Sequence, residues 1–269
     1  MKRNTRLALG LVLALSAVGI LAPWLVPNDP FEIAVARSLS PPSAQFWFGT
    51  DHLGRCLFSR MVYGARISLG TGLAVMVLSL TLGGMIGALA ALGGRFLDGI
   101  IMAVTDVFMA LPSLVFALVL AGRLGPGPGN LILVFSLTLW TRYARMVRGQ
   151  VLSLKQSGHV ETARTAGLPW GYLFRTHLFP GILPPLAAMA SMGMAMNILM
   201  ISSLSFLGLG IVEPVPEWGA MLAAGADYFR AAPHMVFFPG LALSLTVLAF
   251  NRLGGGISAT SPDRIGGKP

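Results

Sequence analysis

Apolar residues in this chain come in long blocks, separated by short stretches dense in proline, glycine and charge. The blocks run at about Leu7–Val26, Ser68–Leu92, Leu97–Ala121, Leu131–Ala144, Pro184–Leu207 and Met235–Leu253. Most approach the roughly 20 residues that a helix needs to cross the hydrocarbon of a bilayer. A helix that is apolar all round has no face to offer to water. The pattern therefore predicts an all-α polytopic membrane protein with about six transmembrane helices.

The connections follow from the same reading. Residues 27–66 are polar and punctuated, with PNDP, SPPS and FGTDHLGRCLFSR, and are expected as a loop outside the bilayer with a short helix near its end. Gly93, Gly94 and Arg95 form a tight turn between spans two and three, and span four continues into a basic helix carrying Arg142, Arg145 and Arg148. Between spans five and six, residues 210–234 hold Glu213, Glu217, Asp227 and Arg230, and are expected as an amphipathic helix on the outer surface. The first block follows Lys2, Arg3 and Arg6, is longer than an ordinary signal core and has no small-x-small cleavage site before Pro27, so it reads as an uncleaved first helix. Three regions result: a first helix and loop over 1–66, a transmembrane core over 67–253, and a cytoplasmic tail over 254–269.

Composition settles the solvent. Hydrophobic residues are 55% of 269 and charged residues 11%, too few to solvate a globular fold of this size, so lipid is the natural medium. The formal charge of +9 would suggest nucleic acid in a soluble protein, but here its placement matters. Only six of the 19 lysines and arginines, Arg37, Arg55, Arg60, Arg66, Arg123 and Arg230, fall on the expected outer side. The other 13 fall inside, an orientation that puts both termini and the loop after span four in the cytoplasm. The basic residues are thus a topology signal that meets anionic headgroups, not a nucleic-acid footprint. The single cysteine, Cys56, excludes an internal disulfide, and there is no CxxC, GxSxG or HExxH. No GxxxxGK[ST] occurs either, the only Gly-Lys pair being Gly267-Lys268 in the tail, so the chain has no ATPase site of its own. No catalytic residue, metal centre or cofactor is expected.

One polar stretch interrupts the apolar blocks on the inner side: SGHVETARTAGLPWGYLFRTHLFPGILPPL, residues 157–186. Residues 155–166 are compatible with a helix, and Gly167 followed by Pro169 ends it, because glycine allows the left-handed stop and proline cannot continue the ladder. Trp170–Leu178 suits a second short helix before Pro180, and Pro184 and Pro185 suit the first turn of span five. The expected shape is helix, bend, helix, joined to span five.

Pattern and spacing in this stretch resemble the cytoplasmic coupling loop of ABC-transporter permeases, at Glu161, Thr162, Ala163, Gly167, Ile182, Leu183 and Pro184. FGTDHLGRCLFSRMVYGARISL (48–69), RYARMVRGQVLSLK (142–155), SLSFLGLG (203–210), PEWGAML (216–222) and FFPGLALSLTVLAFNRLGGGI (237–257) resemble, in order, the permeases that import dipeptides, oligopeptides and nickel in a binding-protein-dependent way. The chain departs from that family at Cys56, where an acidic residue is usual, and at Thr162, where alanine is usual. The resemblance implies a type I importer permease in the bacterial inner membrane, forming half of a pore. It also implies a second homologous permease, two ATP-binding subunits and an extracytoplasmic solute-binding protein as partners. Glu161 would hold the loop or contact a partner, and Gly167 would permit its bend. Cargo stays open among nickel, a metallophore, short peptides and glutathione, with AQFWFGTDHLGR (44–55) closer to the nickel-type permeases. The rival class is an ATP-independent secondary carrier, but no internal repeat is visible and such a carrier has no work for the 157–186 loop.

Candidates for the pathway come from polar and soft residues inside the spans. Asp106 lies within span three, where a carboxylate must face protein or water, and either a neighbouring helix or cargo would satisfy it. Met189, Met192, Met196 and Met200 share one helical face of span five. They are either core packing or a soft lining for a metal or metallophore. His52 and His234 lie on the outer side, where they could meet a metal at the entrance.

Overall fold

The computed structural model describes residues 3–260. Lys2, Arg264, Lys268 and the Gly267-Lys268 pair lie outside the described residues, as does most of the expected tail. Ten helices make up the described chain: α1 (Arg3–Leu25), α2 (Leu57–Leu92), α3 (Gly94–Ala110), α4 (Ser113–Leu124), α5 (Pro128–Lys155), α6 (Gly158–Thr165), α7 (Trp170–Leu173), α8 (Phe179–Phe206), α9 (Trp218–Ala226) and α10 (His234–Thr260). Among the described residues there is no named strand, only an isolated bridge between Thr50 and Cys56. Four rods qualify as spans by length and apolarity: α1, α2, Trp170–Phe206 and α10. The bent pair α3–α4 makes a fifth. The remaining block lies in α5, whose second half carries Arg142, Arg145 and Arg148.

The third expected span is broken. Leu97–Ala121 reads as one apolar run, yet α3 and α4 meet at 83°. Pro112 is the cause: it has no amide to donate, and its ring pushes Leu111 into the extended region at φ −87°, ψ 133°. Phe108 fills the elbow, with its ring edge-on to Phe116 and to Trp140 at 5.7 Å each.

The densest packing is between α2 and α5. Gly83 and Gly87, one turn apart on α2, let its backbone approach Trp140 and Ala144 of α5 so closely that a Cβ at either glycine would overlap a carbonyl oxygen. With lipid on the outside, helices gain little from expelling water and depend on such close approach. Gly254 and Gly256 do the same for α10, against Ala188 and Met192 of α8 and Thr5 of α1.

Two loops differ from expectation. Span two does not begin at Ser68: α2 starts at Leu57, so FSRMVYGAR is its first turns. The 210–234 region is no surface amphipathic helix. Its α9 is short and apolar, with Trp218, Ala220 and Met221 buried between α8, α10 and α2, and the charged residues stand at its ends. Glu217 caps it, accepting from the Ala220 amide at 2.9 Å and from the hydroxyls of Ser202 and Ser68 at 2.8 and 3.3 Å.

Candidate functional site

The two ends of the bundle carry different chemistry. At one end α5 ends at Lys155, and the chain turns through Ser157 into α6, two turns long. Gly167 then takes φ +88°, the left-handed stop expected from its sequence context, and the Arg164 carbonyl accepts from its amide at 3.0 Å. Pro169 precedes α7, as a proline suits the start of a helix.

Beyond α7 the expectation of a separate helix closed by Pro180 fails. Residues 174–178 form a π turn, in which the Phe174 carbonyl accepts from the Phe179 amide, and α8 continues directly from it. The wider π register absorbs the proline rather than ending the helix. Pro184 and Pro185 consequently sit inside a helix already under way, so Trp170–Phe206 is one rod of 37 residues.

The knuckle formed by α6, the bend and α7 is held from below. Val160, Leu178 and Ile182 are buried with Val147 and Val151 of α5 and Ala91 of α2. Two cations lie over the Trp170 ring, the Lys155 ammonium at 4.8 Å and the Arg164 guanidinium at 5.2 Å. Lys155 also donates to the Ala91 carbonyl at 2.9 Å, tying the knuckle to the end of α2. The upper face is bare: Glu161, Thr162, Arg164, Thr165, Ala166 and Gly167 are exposed, while Ala163 is half-buried. Among the described residues Glu161 forms no salt bridge. Leu183 and Pro184 are exposed on the rod, and Ile182 is in the core.

The opposite end is clamped by ions. Arg55, 2% exposed, donates to Asp51 at 2.6 Å and pairs with Glu213. Arg60 reaches the same two carboxylates at 3.3 and 3.5 Å and donates to the Pro30 and Pro214 carbonyls. The Asp51 carboxylate also accepts from the Leu53 and Arg55 amides, both at 2.9 Å. This network pins the 27–56 loop to the α8–α9 connection. Donor atoms of Asp51, His52 and Glu213 come within 4.8 Å of one another. Both carboxylates already neutralise guanidinium groups, so the arrangement is an ion-pair network and not a cation cradle. His234 is engaged elsewhere, with Nε2 3.2 Å from the Thr50 carbonyl. Cys56 is buried beside this network without joining it.

The pathway candidates separate. Asp106 faces outward from α3 and pairs with Arg145 of α5. Met189, Met192 and Met196 border a cavity of about 170 Å³ between α5 and α8, together with Leu139, Arg142, Tyr143, Gly193 and Asn197. Met200, two turns from Met192, is buried in the core with Phe135 and Leu204. Sequence reasoning passed over Trp170 and Lys155, which hold the knuckle, and over Asn197 in the cavity wall. The signal for Asn197 was present: a lone carboxamide in an apolar span is rare enough to mark a polar environment. The signal for the outer clamp was the Asp51–Arg55 spacing in FGTDHLGR.

The model of binding-protein-dependent transport system inner membrane components matches residues 83–259 of the chain. The nickel transport system permease protein NikC of Escherichia coli K12 is 39% identical over 251 residues, covering 93% of this chain and 91% of the relative. The probable D,D-dipeptide transport system permease protein DdpC of the same organism is 39% identical, over 93% of this chain and 84% of its own length. The dipeptide transport system permease protein DppC of Alkalihalophilus pseudofirmus is 35% identical, over 96% and 85%. In fold, the chain is similar to one from the MetNI methionine ABC transporter solved in inward-facing conformations, with a TM-score of 0.57 at 16% identity, covering 74% of this chain and 96% of that one.

Proposed function

The chain belongs to the family of binding-protein-dependent transport system inner membrane components, the permease subunits of ABC importers of dipeptide and nickel type, and from that premise we propose a division of labour along it. It is a multi-pass membrane protein and a transport subunit, not itself an ATPase. In our reading it forms half of a translocation path for nickel, a metallophore or a short peptide. A second homologous permease forms the other half, two ATP-binding subunits drive it, and an extracytoplasmic binding protein delivers cargo. Both termini and the knuckle face the cytoplasm, and the Arg55–Glu213 clamp faces outward. The proposed regions are the helix and loop of 1–66, whose last residues already belong to α2, the core of 67–253, and the stretch of 254–269, whose first residues continue α10.

The observation that carries this reading is the continuity of the knuckle with α8. A bare face with Glu161, Thr162, Ala163 and Gly167 stands at the tip, and a single rod leads from Trp170 through Ile182, Leu183 and Pro184 into the span. An ATP-binding subunit that grips the tip therefore moves the span as one body, a rigid-body switch between two packings. The test uses the assembled transporter in proteoliposomes. Gly167→Pro removes the amide bonded to Arg164 and forbids φ +88°, while Glu161→Lys inverts the charge of the bare face. Both variants should insert and assemble but lose ATP hydrolysis stimulated by loaded binding protein. Stimulation at the parent's level in either variant would remove the coupling role.

A further inference from the structure

Three arginines follow one another along α5, and α3 supplies acids for two of them. Asp98 takes Arg148 in a two-point pair at 2.5 and 2.6 Å, and Asp106 takes Arg145. Arg142 forms no ion pair with a described residue. It is an exposed residue that also borders the cavity between α5 and α8.

The cavity wall also holds one buried polar group without a partner. Asn197 is 3% exposed, and its Nδ2 is buried with no hydrogen bond. Buried amides are almost always paired, so one left unpaired in the wall of a cavity marks a missing acceptor. Tyr143 lies with its hydroxyl over Gly193, where a Cβ would collide with it. The remaining surface comes largely from Met189, Met192 and Met196, whose thioethers bring adaptable apolar contact and no donor. At about 170 Å³ the space is far above the roughly 10–15 Å³ that a single water requires.

A guanidinium, an amide and a phenol around one apolar-walled hollow form a donor set that lacks an anionic acceptor. A carboxylate suits it, because guanidinium offers a planar fork that matches two carboxylate oxygens. A hydrated divalent cation does not, since it would meet the charge of Arg142. We propose that the α5–α8 cavity is a subsite that receives the carboxylate of the solute in transit, with Arg142 and Asn197 as its donors. The solute class is a small molecule with a free carboxylate: the C-terminus of a short peptide, or the carboxylates of a metal chelate. This inference rests on the permease reading above, and it gives the methionine face a second role as the wall behind the charged group.

The test measures binding to the assembled transporter in lipid nanodiscs, without nucleotide or binding protein, so that a negative result leaves the coupling experiment untouched. Saturation-transfer NMR with dialanine and its C-terminal amide tests the peptide source. Equilibrium dialysis of radioactive nickel, as its citrate complex and as the bare aquo ion, tests the chelate source. The acid form in at least one arm should bind about 10- to 100-fold more tightly than its uncharged or cationic counterpart, the weight of a hydrogen bond to a charged group. Arg142→Gln should erase that preference, Arg142→Lys should keep part of it, and Asn197→Leu should reduce it several-fold. If the parent shows no preference in either arm, the proposal is wrong. It is also wrong if Arg142→Gln separates the two permeases while the remaining assembled complex keeps its preference for the acid, because the arginine then answers an acid on the partner subunit.

Discussion

Gly83 and Gly84 are neighbours on α2, yet only Gly83 faces α5. A Cβ at Gly83 would lie 2.7 Å from the Tyr143 Cβ and 2.9 Å from the Ala144 amide nitrogen, and would overlap the Trp140 carbonyl oxygen. One at Gly84 would meet nothing within 4 Å. The obstacles at Gly83 are backbone and Cβ atoms, so no rotamer change relieves them and α5 must move as a body. Overpacking of this kind costs about 1–3 kcal/mol. Both Gly83→Ala and Gly84→Ala carry the same gain in helix propensity, at most about 1 kcal/mol. Their difference therefore isolates the contact between the two helices.

For a chain of this size each kcal/mol moves the melting temperature by about 2–4 °C. Gly83→Ala should then melt roughly 2–12 °C below Gly84→Ala when both are purified in the same detergent and followed by thermal denaturation. Displacing α5 also displaces Tyr143 and Arg142, so Gly83→Ala should lower transport while Gly84→Ala leaves it at the parent's level. Melting temperatures within about 1 °C of each other would show that the α2–α5 seam is not the close contact that this packing requires.

At the outer clamp, Arg55→Met should cost about 3–5 kcal/mol, because it leaves the buried Asp51 carboxylate without its nearest cation. The loss would be read as a lower melting temperature, and melting at the parent's value would show that Arg60 alone satisfies both acids. At α9, Glu217→Gln keeps the shape of a fully buried cap but replaces an anionic acceptor of three hydrogen bonds with an amide, for a loss of about 2 kcal/mol. Glu217→Ala should melt lower still, and equal melting of Glu217→Gln and the parent would mean that the charge on the cap contributes nothing.

What the sequence made legible follows from where its signals are local. Apolar blocks found the helices, and Gly167 with Pro169 found the bend, because a left-handed residue and a missing amide act within one turn. Proline misled twice, in opposite directions. The apolar run Leu97–Ala121 reads as one span, and Pro112 in fact ends α3 within it, since it pushes Leu111 into the extended region. Pro180 was read as a stop and in fact lies within a rod, since the π turn before it gives its ring room. The two prolines differ in what surrounds them: residues 174–182 are anchored by Leu178 and Ile182 in the core, whereas Leu111 beside Pro112 is about half exposed and the elbow is filled by Phe108 from the α3 side. Tertiary packing decides the outcome, and one sequence window does not contain it.

That difference bears on mechanism. Because Pro180 does not interrupt the rod, α7, which closes the knuckle, and the cavity wall share one element, and Arg175 and Met196 are separated by about 30 Å of helix at 1.5 Å per residue. The same rod presents Met189, Met192, Met196 and Asn197 to the cavity, and α5 presents Arg142 and Tyr143 from the other side. α5 is also the surface on which the knuckle rests, through Val147 and Val151. A shift of the knuckle relative to α5 must therefore change the separation of the two cavity walls, because the same two helices form both contacts. A helix broken at Pro180 would have absorbed that shift in a hinge, and the cavity would not have registered the movement of the tip.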